Sequence, residues 1–221
     1  MKGKRNMNNE EVKKIIEEHK IIAIARDIKP EDAAILAKAL YDGGVYALEF
    51  PFNMNTIEST QTDECTKAAS RAMGDKMCIG CGTVSFVELV DRAYEAGAKY
   101  IVAADTNVDV IKRTKELGLI SIPGAFTPSE IMKASVAGAD YIKIYPIRNL
   151  EKKYINEIKI PYSHIKYLAV AGVELDNIKE YIKDGYVGVG LSGNLIMQKY
   201  IQSGEFDKIT ELARQFVNAM K

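Results

Sequence analysis

Short apolar runs recur along this chain at a nearly constant interval, and that regularity constrains the fold more than any other feature. The intervals of roughly 20 to 30 residues fit a strand followed by a crossover helix. The intervening segments are amphipathic, and several open with Pro, Ser or Asn and close with Gly, the usual punctuation of helices. The eight runs cover residues 21–25, 46–50, 77–83, 100–104, 119–124, 141–146, 167–172 and 187–192.

Eight such units predict an α/β fold, a (β/α)8 TIM barrel. The runs are apolar throughout rather than alternating, as expected for a parallel sheet covered on both faces. Residues 1–221 are expected to form a single barrel domain, with an extra N-terminal helix at about 8–19 and a final helix at about 204–220. Residues 148–166 form the least regular connection. An open doubly wound sheet is the alternative, but no GxGxxG turn supports it.

Composition narrows the classes of partner. Lys and Arg total 30 and Asp and Glu total 30, so the zero net charge favours a small diffusing substrate over nucleic acid or an anionic membrane. No apolar run exceeds strand length, and the charged N-terminal stretch lacks the apolar run of a signal peptide, so a cytoplasmic protein is expected.

The cysteines are interpreted as ordinary core residues. The chain has three cysteines, Cys65, Cys78 and Cys81. A disulfide framework is not expected, because the number is small and odd. Cys78 and Cys81 belong to "CIGC" inside a strand-like run, where positions three apart point to opposite faces. A metal or redox pair is therefore not expected.

One lysine interrupts an apolar strand. In "YIKIYPI", residues 141–147, Lys143 sits among bulky apolar side chains, although an ammonium group is costly to bury unless it is paired or loses its proton. Alternate residues of a barrel strand face the interior. If Lys143 faces inward, Tyr141 and Tyr145 share its side, while Ile142 and Ile144 pack against the helices.

A second strand carries a carboxylate with the same parity. In "YALEFPF", Glu49 faces inward together with Ala47 and Pro51. Arg26 and Thr83 fall at or just beyond the carboxyl ends of their strands, where barrel enzymes build their sites. An amine, an acid, a hydroxyl and a guanidinium are therefore expected at one mouth. The alternatives are a snorkelling or edge lysine and a glutamate that serves a helix cap or an ion pair.

Several motifs together resemble one family. They are "IIAIARDIKPEDAAILAKAL", "GGVYALEFPFN", "IGCGTV", "IPGAFTPSE", "GADYIKIYP" and "LAVAGV". Their order and spacing, from about residue 20 to 200, are similar to those of the 2-keto-3-deoxy-6-phosphogluconate (KDPG) aldolases. That family also includes 4-hydroxy-2-oxoglutarate (KHG) aldolases and 2-dehydro-3-deoxy-6-phosphogalactonate aldolases. The resemblance implies a (β/α)8 barrel, a homotrimer, and neither metal nor organic cofactor.

The resemblance also implies roles for individual residues. Lys143 would be the Schiff-base lysine and Glu49 the general acid/base. Thr83 would help hold the pyruvyl carboxylate, and Arg26 matches a substrate-binding arginine of the phosphogalactonate branch. Tyr145 takes the place of a family aromatic beside the lysine. A buried lysine suits this chemistry, because burial favours the neutral amine that attacks a ketone.

The distal end of a phosphorylated substrate is expected after the seventh and eighth strands. The segments "AGV" (171–173) and "LSG" (191–193) occupy the usual phosphate site of barrels. Gly172 and Gly193 would allow close approach of the backbone, and Ser192, the last residue of the eighth run, is expected to bind the substrate with them.

Some positions depart from the gluconate branch of the family. Asn53 replaces an arginine four positions after the glutamate, and Val170 stands where that branch has threonine. Both favour the phosphogalactonate branch, whose "EIPLN" resembles "EFPFN" at 49–53. Ala104 replaces a family proline, and the Ser192–Gly193 order is reversed; these two favour neither branch.

Three functions remain open on the residues themselves. The first is a class I aldolase acting on a phosphorylated 2-keto-3-deoxy sugar acid or on 4-hydroxy-2-oxoglutarate. The second is a phosphate-barrel isomerase or epimerase, and the third a non-catalytic sugar-phosphate-binding barrel. His19 and His164 lie outside the strand ends, so a Ser-His or Cys-His nucleophile has little support. Carboxylates and histidines do not cluster at metal-ligand spacing.

Overall fold

Parallel strands alternate with helices along the residues that the computed structural model describes, 7–151 and 153–221. Residues 1–6 and 152 of the expected domain lie outside this described part. The strands are β1 Ile21–Ile24, β2 Ala47–Pro51, β3 Cys78–Gly82, β4 Tyr100–Val102, β5 Ile120–Ile122, β6 Gly124–Ala125, β7 Ile142–Ile144, β8 Tyr167–Val170 and β9 Gly188–Leu191.

The helices lie where the amphipathic segments predicted them. Several begin at a side-chain cap: Asn8 and Glu11 form a capping box at one helix, and Thr127 and Glu130 form another. Short 3₁₀ turns at Met54–Thr56 and Ile147–Asn149 follow two of the strands. The α-helices are α1 Asn9–His19, α2 Pro30–Asp42, α3 Gln61–Met73, α4 Val87–Glu95, α5 Val108–Glu116, α6 Pro128–Val136, α7 Tyr154–Lys159, α8 Ile178–Lys183, α9 Gln198–Gln202 and α10 Phe206–Ala219.

The predicted (β/α)8 barrel is confirmed, with its fifth strand split in two. Hydrogen-bonded neighbours follow the order β5-β4-β3-β2-β1-β9-β8-β7-β6. Pro123 separates β5 from β6 because proline has no N–H to donate to a neighbouring strand. Its carbonyl still accepts from the Lys143 N–H at 2.9 Å, and the Ser121 carbonyl accepts from the Tyr141 N–H at 3.2 Å. The split strand therefore joins β4 to β7, which excludes the open doubly wound sheet.

Side chains alternate between the barrel interior and the helices, as the parity of the strands predicts. The interior cluster contains Ala47, Cys78 and Tyr141, together with Tyr100 of β4. Cys81, three residues after Cys78, packs instead in a cluster outside the barrel. The two thiols therefore lie on opposite sides of β3, as predicted. Both are buried and free.

Helix α1 covers the amino-terminal end of the barrel. Val12 and Ile16 on its apolar side belong to the interior cluster. The Glu17 carboxylate accepts hydrogen bonds from the Tyr141 hydroxyl at 2.7 Å and from Lys166 Nζ at 2.7 Å. Because this end is covered, the carboxyl ends of the strands form the accessible mouth. No helix in the described ranges is long and apolar enough to cross a membrane.

Candidate active site

Lys143 lies at the centre of β7 and points into the barrel. Lys143 is only 5 % exposed, and it lies opposite Gly124 and Leu168 on the two neighbouring strands. The ammonium nitrogen lies 4.7 Å from the centre of the Tyr145 ring, so an aromatic face covers it. Burial lowers the pKa of Lys143, opposed mainly by the nearby Glu49 carboxylate.

Glu49 is a buried carboxylate on β2. It is 2 % exposed, and its Oε2 has no hydrogen-bond partner among the described residues. Burial raises the pKa of Glu49 to about 6, against the opposing effects of Lys143 and Arg26. A carboxyl group with this pKa can both accept and release protons near neutral pH.

Two glycines of β3 leave space for the side chains of Glu49 and Tyr100. A Cβ on Gly82 would lie 2.6 Å from Glu49 Oε1, so a side chain there would displace the carboxylate. A Cβ on Gly80 would lie 2.5 Å from the ring of Tyr100. The Tyr100 hydroxyl is buried and, within the described part of the chain, has no hydrogen-bond partner. The glycines therefore determine how Glu49 and Tyr100 sit inside the barrel.

The strands carrying Lys143 and Glu49 face each other across the barrel. With β5 and β6 counted as one strand, β2 and β7 are separated by three strands in either direction around the ring. Inward side chains from opposed strands point towards the same axis. A small cavity is lined by both Glu49 and Lys143, together with Val102, Val170 and Gly190. The structure thus brings the predicted amine and carboxylate to one site.

A wider cavity of about 360 Å³ opens from Lys143 towards the mouth. The Ser192 hydroxyl at its edge donates to the Ile24 carbonyl at 3.2 Å, which ties the end of β9 to β1. Most of the predicted site residues line this cavity, namely Arg26, Lys143, Tyr145, Val170, Gly172, Ser192 and Gly193.

Arg148 also lines the wider cavity and was missed by sequence reasoning. It lies in the 3₁₀ turn after β7, inside the connection that was interpreted only as irregular. A usable signal was present, since Arg148 is a cation two residues after Pro146 at the carboxyl end of a barrel strand. Asp105, just after β4, was missed as well. Burial lowers the pKa of Lys143, and Asp105 opposes that lowering less than Glu49 does; its carboxylate also accepts from the Ser85 hydroxyl at 2.9 Å.

Three predicted residues lie outside the wider cavity: Glu49, which lines the small inner cavity, and Asn53 and Thr83. Asn53 is exposed and caps a 3₁₀ turn, its side-chain oxygen accepting from the Asn55 N–H at 3.0 Å, and it lines a separate small pocket with Asp27. Thr83 directly follows β3 with a left-handed φ of 55°, and its neighbour Gly82 is the residue that lies against the Glu49 carboxylate.

Other features of the described residues offer no competing site. A larger cleft of about 870 Å³ lies at the opposite end of the barrel, beside the start of α1, and is lined by Met7, Tyr94 and Lys99. None of its lining residues lines either cavity that contains Lys143. Within residues 7–151 and 153–221, no cluster of three or more His, Cys, Asp or Glu side chains could hold a metal ion.

Comparisons with known proteins agree on one family. The family model described as KDPG and KHG aldolase matches residues 12–212. The 2-dehydro-3-deoxy-6-phosphogalactonate aldolase of Escherichia coli K12 is 34 % identical over 202 residues, covering 91 % of this chain and 94 % of that protein. A solved native KDPGal structure is 34 % identical with a TM-score of 0.81, covering 90 % of this chain and 93 % of that one.

A more distant structure supports the fold. The KDPG aldolase of Legionella pneumophila, solved with pyruvate captured as a covalent carbinolamine, has a TM-score of 0.81 at 21 % identity. The match covers 90 % of this chain and 95 % of that chain.

Proposed function

The chain belongs to the KDPG and KHG aldolase family, and we propose that Lys143 and Glu49 carry out the cleavage. The protein is a class I aldolase, a carbon–carbon lyase that releases pyruvate and an aldehyde. Its substrate is a 2-keto-3-deoxy-6-phospho sugar acid or 4-hydroxy-2-oxoglutarate. The observation that supports these two residues most is a buried lysine facing a buried glutamate across the barrel.

Lys143 is the proposed nucleophile. Its lowered pKa increases the fraction of neutral amine, which attacks the C2 ketone of the 2-keto acid to give a carbinolamine. Loss of water then yields an iminium ion. The iminium accepts the electron pair of the C3–C4 bond when that bond breaks, leaving an enamine. Protonation of the enamine at C3 and hydrolysis release pyruvate and regenerate the amine.

Glu49 is the proposed proton carrier. It donates a proton to the carbinolamine oxygen as water leaves, then accepts the proton of the C4 hydroxyl as the C3–C4 bond breaks. A pKa of about 6 suits both roles, because neither protonation state is strongly disfavoured near neutral pH. Its Oε2, unpartnered among the described residues, is available to the substrate.

The remaining groups of the reacting end position the substrate. We assign Thr83 and Arg26 to the pyruvyl carboxylate: Thr83 lies beside the Glu49 site, and Arg26 lines the same cavity as Lys143. Tyr145 covers the Lys143 nitrogen and would flank the iminium. Val170 lines both the inner and the wider cavity, where it offers an apolar surface to the sugar chain.

The distal phosphate is assigned to the loops after β8 and β9. Gly172, Ser192 and Gly193 line the wider cavity at that end, and backbone N–H groups are suitable phosphate ligands. Val170 and Asn53 support a phosphogalactonate substrate. Of the two, only Val170 lines the cavity, so it carries the greater weight.

Several wider properties are proposed on the family resemblance. The chain would work as a cytoplasmic homotrimer on a small-molecule substrate, with no nucleic-acid or membrane partner and with neither metal nor organic cofactor. Residues 1–221 would form one barrel domain, which the packing of α10 against α2 supports, since Ala213 of α10 lies against Gly43 at the end of α2.

A cleavage assay coupled to pyruvate detection tests the function directly. It should be run on the 6-phosphogluconate-type, 6-phosphogalactonate-type and hydroxyoxoglutarate substrates, with wild type, Lys143→Ala and Lys166→Ala. Wild type and Lys166→Ala should release pyruvate, most rapidly from the galactonate type, and Lys143→Ala should release none. Solvent-isotope exchange without cleavage would indicate an isomerase. A ligand-induced rise in melting temperature without any product would indicate a binding barrel.

A further inference from the structure

Arg148 is held against the loop at the distal end of the cavity. Its backbone N–H donates to the Ala171 carbonyl at 3.0 Å, and its Nε donates to the same carbonyl at 3.3 Å. Gly172 is in close contact with it, since a Cβ on Gly172 would lie 2.6 Å from Arg148 Cβ. The φ of Gly172 is 129°, a conformation that also favours glycine. The base of the arginine is therefore fixed on the β8 loop.

The guanidinium group is available to a ligand. Arg148 is exposed and lines the 360 Å³ cavity that contains Lys143. Among the described residues its two terminal nitrogens make no hydrogen bond, and no carboxylate pairs with it. A guanidinium has five N–H donors in a planar fork that matches the oxygens of a phosphate. The single bond from Nε leaves the other four donors for such a group.

The two arginines of the cavity lie at different distances from the reacting centre. Arg26 acts on the pKa of both Glu49 and Lys143, whereas Arg148 contributes to neither. Arg26 is therefore the arginine of the reacting end, and Arg148 that of the distal end. Lys143 cannot supply the distal charge, because its amine must be neutral to attack the ketone.

A carboxylate near the distal end would oppose phosphate binding unless a cation lies nearby. Glu174 lines the same cavity, and its Oε2 accepts from the Asn194 side chain at 2.9 Å. A phosphate at Gly172 and Gly193 would be repelled by this carboxylate. A guanidinium would offset that repulsion more strongly than neutral backbone amides alone.

We propose that Arg148 binds the distal phosphate of the sugar acid and sets the preference for phosphorylated over unphosphorylated 2-keto acids. The inference rests on the proposed aldolase function and deepens it, because it assigns the substrate's second anion to a named side chain. The acidic Glu174 then weakens binding of anions that do not reach Arg148.

Kinetics on a matched pair of substrates test this role. One substrate is the phosphorylated 2-keto-3-deoxy sugar acid that wild type cleaves fastest, and the other is the same sugar acid without its phosphate. Arg148→Gln should lower kcat/KM for the phosphorylated substrate about 10- to 100-fold, mainly by raising KM, as expected for loss of one charge-assisted interaction. For the unphosphorylated substrate the change should stay within about twofold.

Two further variants sharpen the result. Arg148→Lys keeps the charge but not the fork, so its loss should be smaller than that of Arg148→Gln. Arg214→Gln removes a cation on α10, which donates to the Asp42 carbonyl at 3.3 Å, and should behave as wild type. In addition, inorganic phosphate should inhibit wild type more strongly than Arg148→Gln.

The possible outcomes distinguish a failure of the role proposed for Arg148 from a failure of the proposed aldolase function. An equal loss on both substrates would show that Arg148 only supports the Ala171–Gly172 loop, and no loss on either would show that it does not bind phosphate. Either result overturns the inference while wild type remains an aldolase. If wild type cleaves neither substrate, the proposed function itself fails.

Discussion

Lys143 and Glu49 approach the barrel axis from opposed strands, each almost completely excluded from solvent. Burial acts on them in opposite directions, lowering the pKa of the lysine and raising that of the glutamate. Burial thus favours the uncharged form of both groups, and the attraction between an ammonium and a carboxylate opposes it. The proposed mechanism needs these uncharged forms, a neutral amine as nucleophile and a carboxyl group that can release a proton.

The pH dependence of cleavage should report Glu49. Protonation of its carboxylate removes the base, so kcat/KM should fall about tenfold per pH unit below a midpoint near 6. A midpoint near 4.5, the ordinary value, would contradict the effect of burial. The check is a pH profile of the pyruvate-release assay between pH 4.5 and about 8, with stability confirmed at each pH.

Glu49→Gln should lose activity and gain stability. Loss of the proton carrier should reduce kcat by about 100- to 10,000-fold. The raised pKa means that the folded state favours the protonated carboxyl group. Its contribution to stability is present below pH 4.5 and is lost as the pH rises through about 6. The cost of ionising Glu49 at neutral pH is about 2 kcal/mol.

The pKa of about 6 already includes the attraction of Lys143, so the net stability gain should be close to that cost. We expect the free energy of unfolding of Glu49→Gln to exceed that of wild type by about 1 to 2 kcal/mol at pH 7. At pH 4 the difference should vanish, since the wild-type carboxyl group is then protonated in both states. Denaturant melts at the two pH values measure this, and a less stable variant at pH 7 would refute it.

Gly82→Ala should damage catalysis while the fold persists. The added Cβ would meet Glu49 Oε1 at 2.6 Å, so the carboxylate must rotate away from its position. We expect kcat to fall at least about tenfold, because small displacements of a catalytic group are costly. Circular dichroism should show wild-type secondary structure. Unchanged kcat would mean that Glu49 does not need its observed position.

Loss of the hydroxyl group should affect the stability of the protein differently at two tyrosines inside the barrel. The Tyr100 hydroxyl has no partner among the described residues, so Tyr100→Phe should leave stability unchanged or raise it by about 1 kcal/mol. The Tyr141 hydroxyl donates to Glu17 at 2.7 Å, so Tyr141→Phe should lower stability by about 1 to 2 kcal/mol. Thermal melts of both variants provide the comparison. Equal losses would show that Tyr100 has a partner.

Much of this site could be predicted from the alternation of side chains along the strands and from one charged residue in an apolar strand. A lysine in an apolar strand, Lys143, and a glutamate of the same parity, Glu49, indicated an interior pair because alternation determines which face a residue occupies. The carboxyl ends of the strands indicated the mouth, where Arg26 and Ser192 lie.

The remaining features depend on contacts between loops and strands distant in sequence. The exposed position of Asn53 reflects the 3₁₀ turn that it caps, and the role of Gly82 appears only when β3 lies beside β2. The sequence shows Arg148 as a cation just after a barrel strand, but its contact with the Ala171 carbonyl depends on the approach of the β7 and β8 loops, which no local pattern encodes. The split at Pro123 did follow a local rule, since proline cannot donate to a strand neighbour.

Trapping of a covalent intermediate tests the central claim most directly. Wild-type protein incubated with pyruvate and sodium borohydride should gain one reduced pyruvyl group, and peptide mass spectrometry should locate it on Lys143. Lys166→Ala should be labelled in the same way, whereas Lys143→Ala should remain unlabelled. An unlabelled wild type, or a pyruvyl group on any other lysine, would contradict the assignment of Lys143 as the Schiff-base residue.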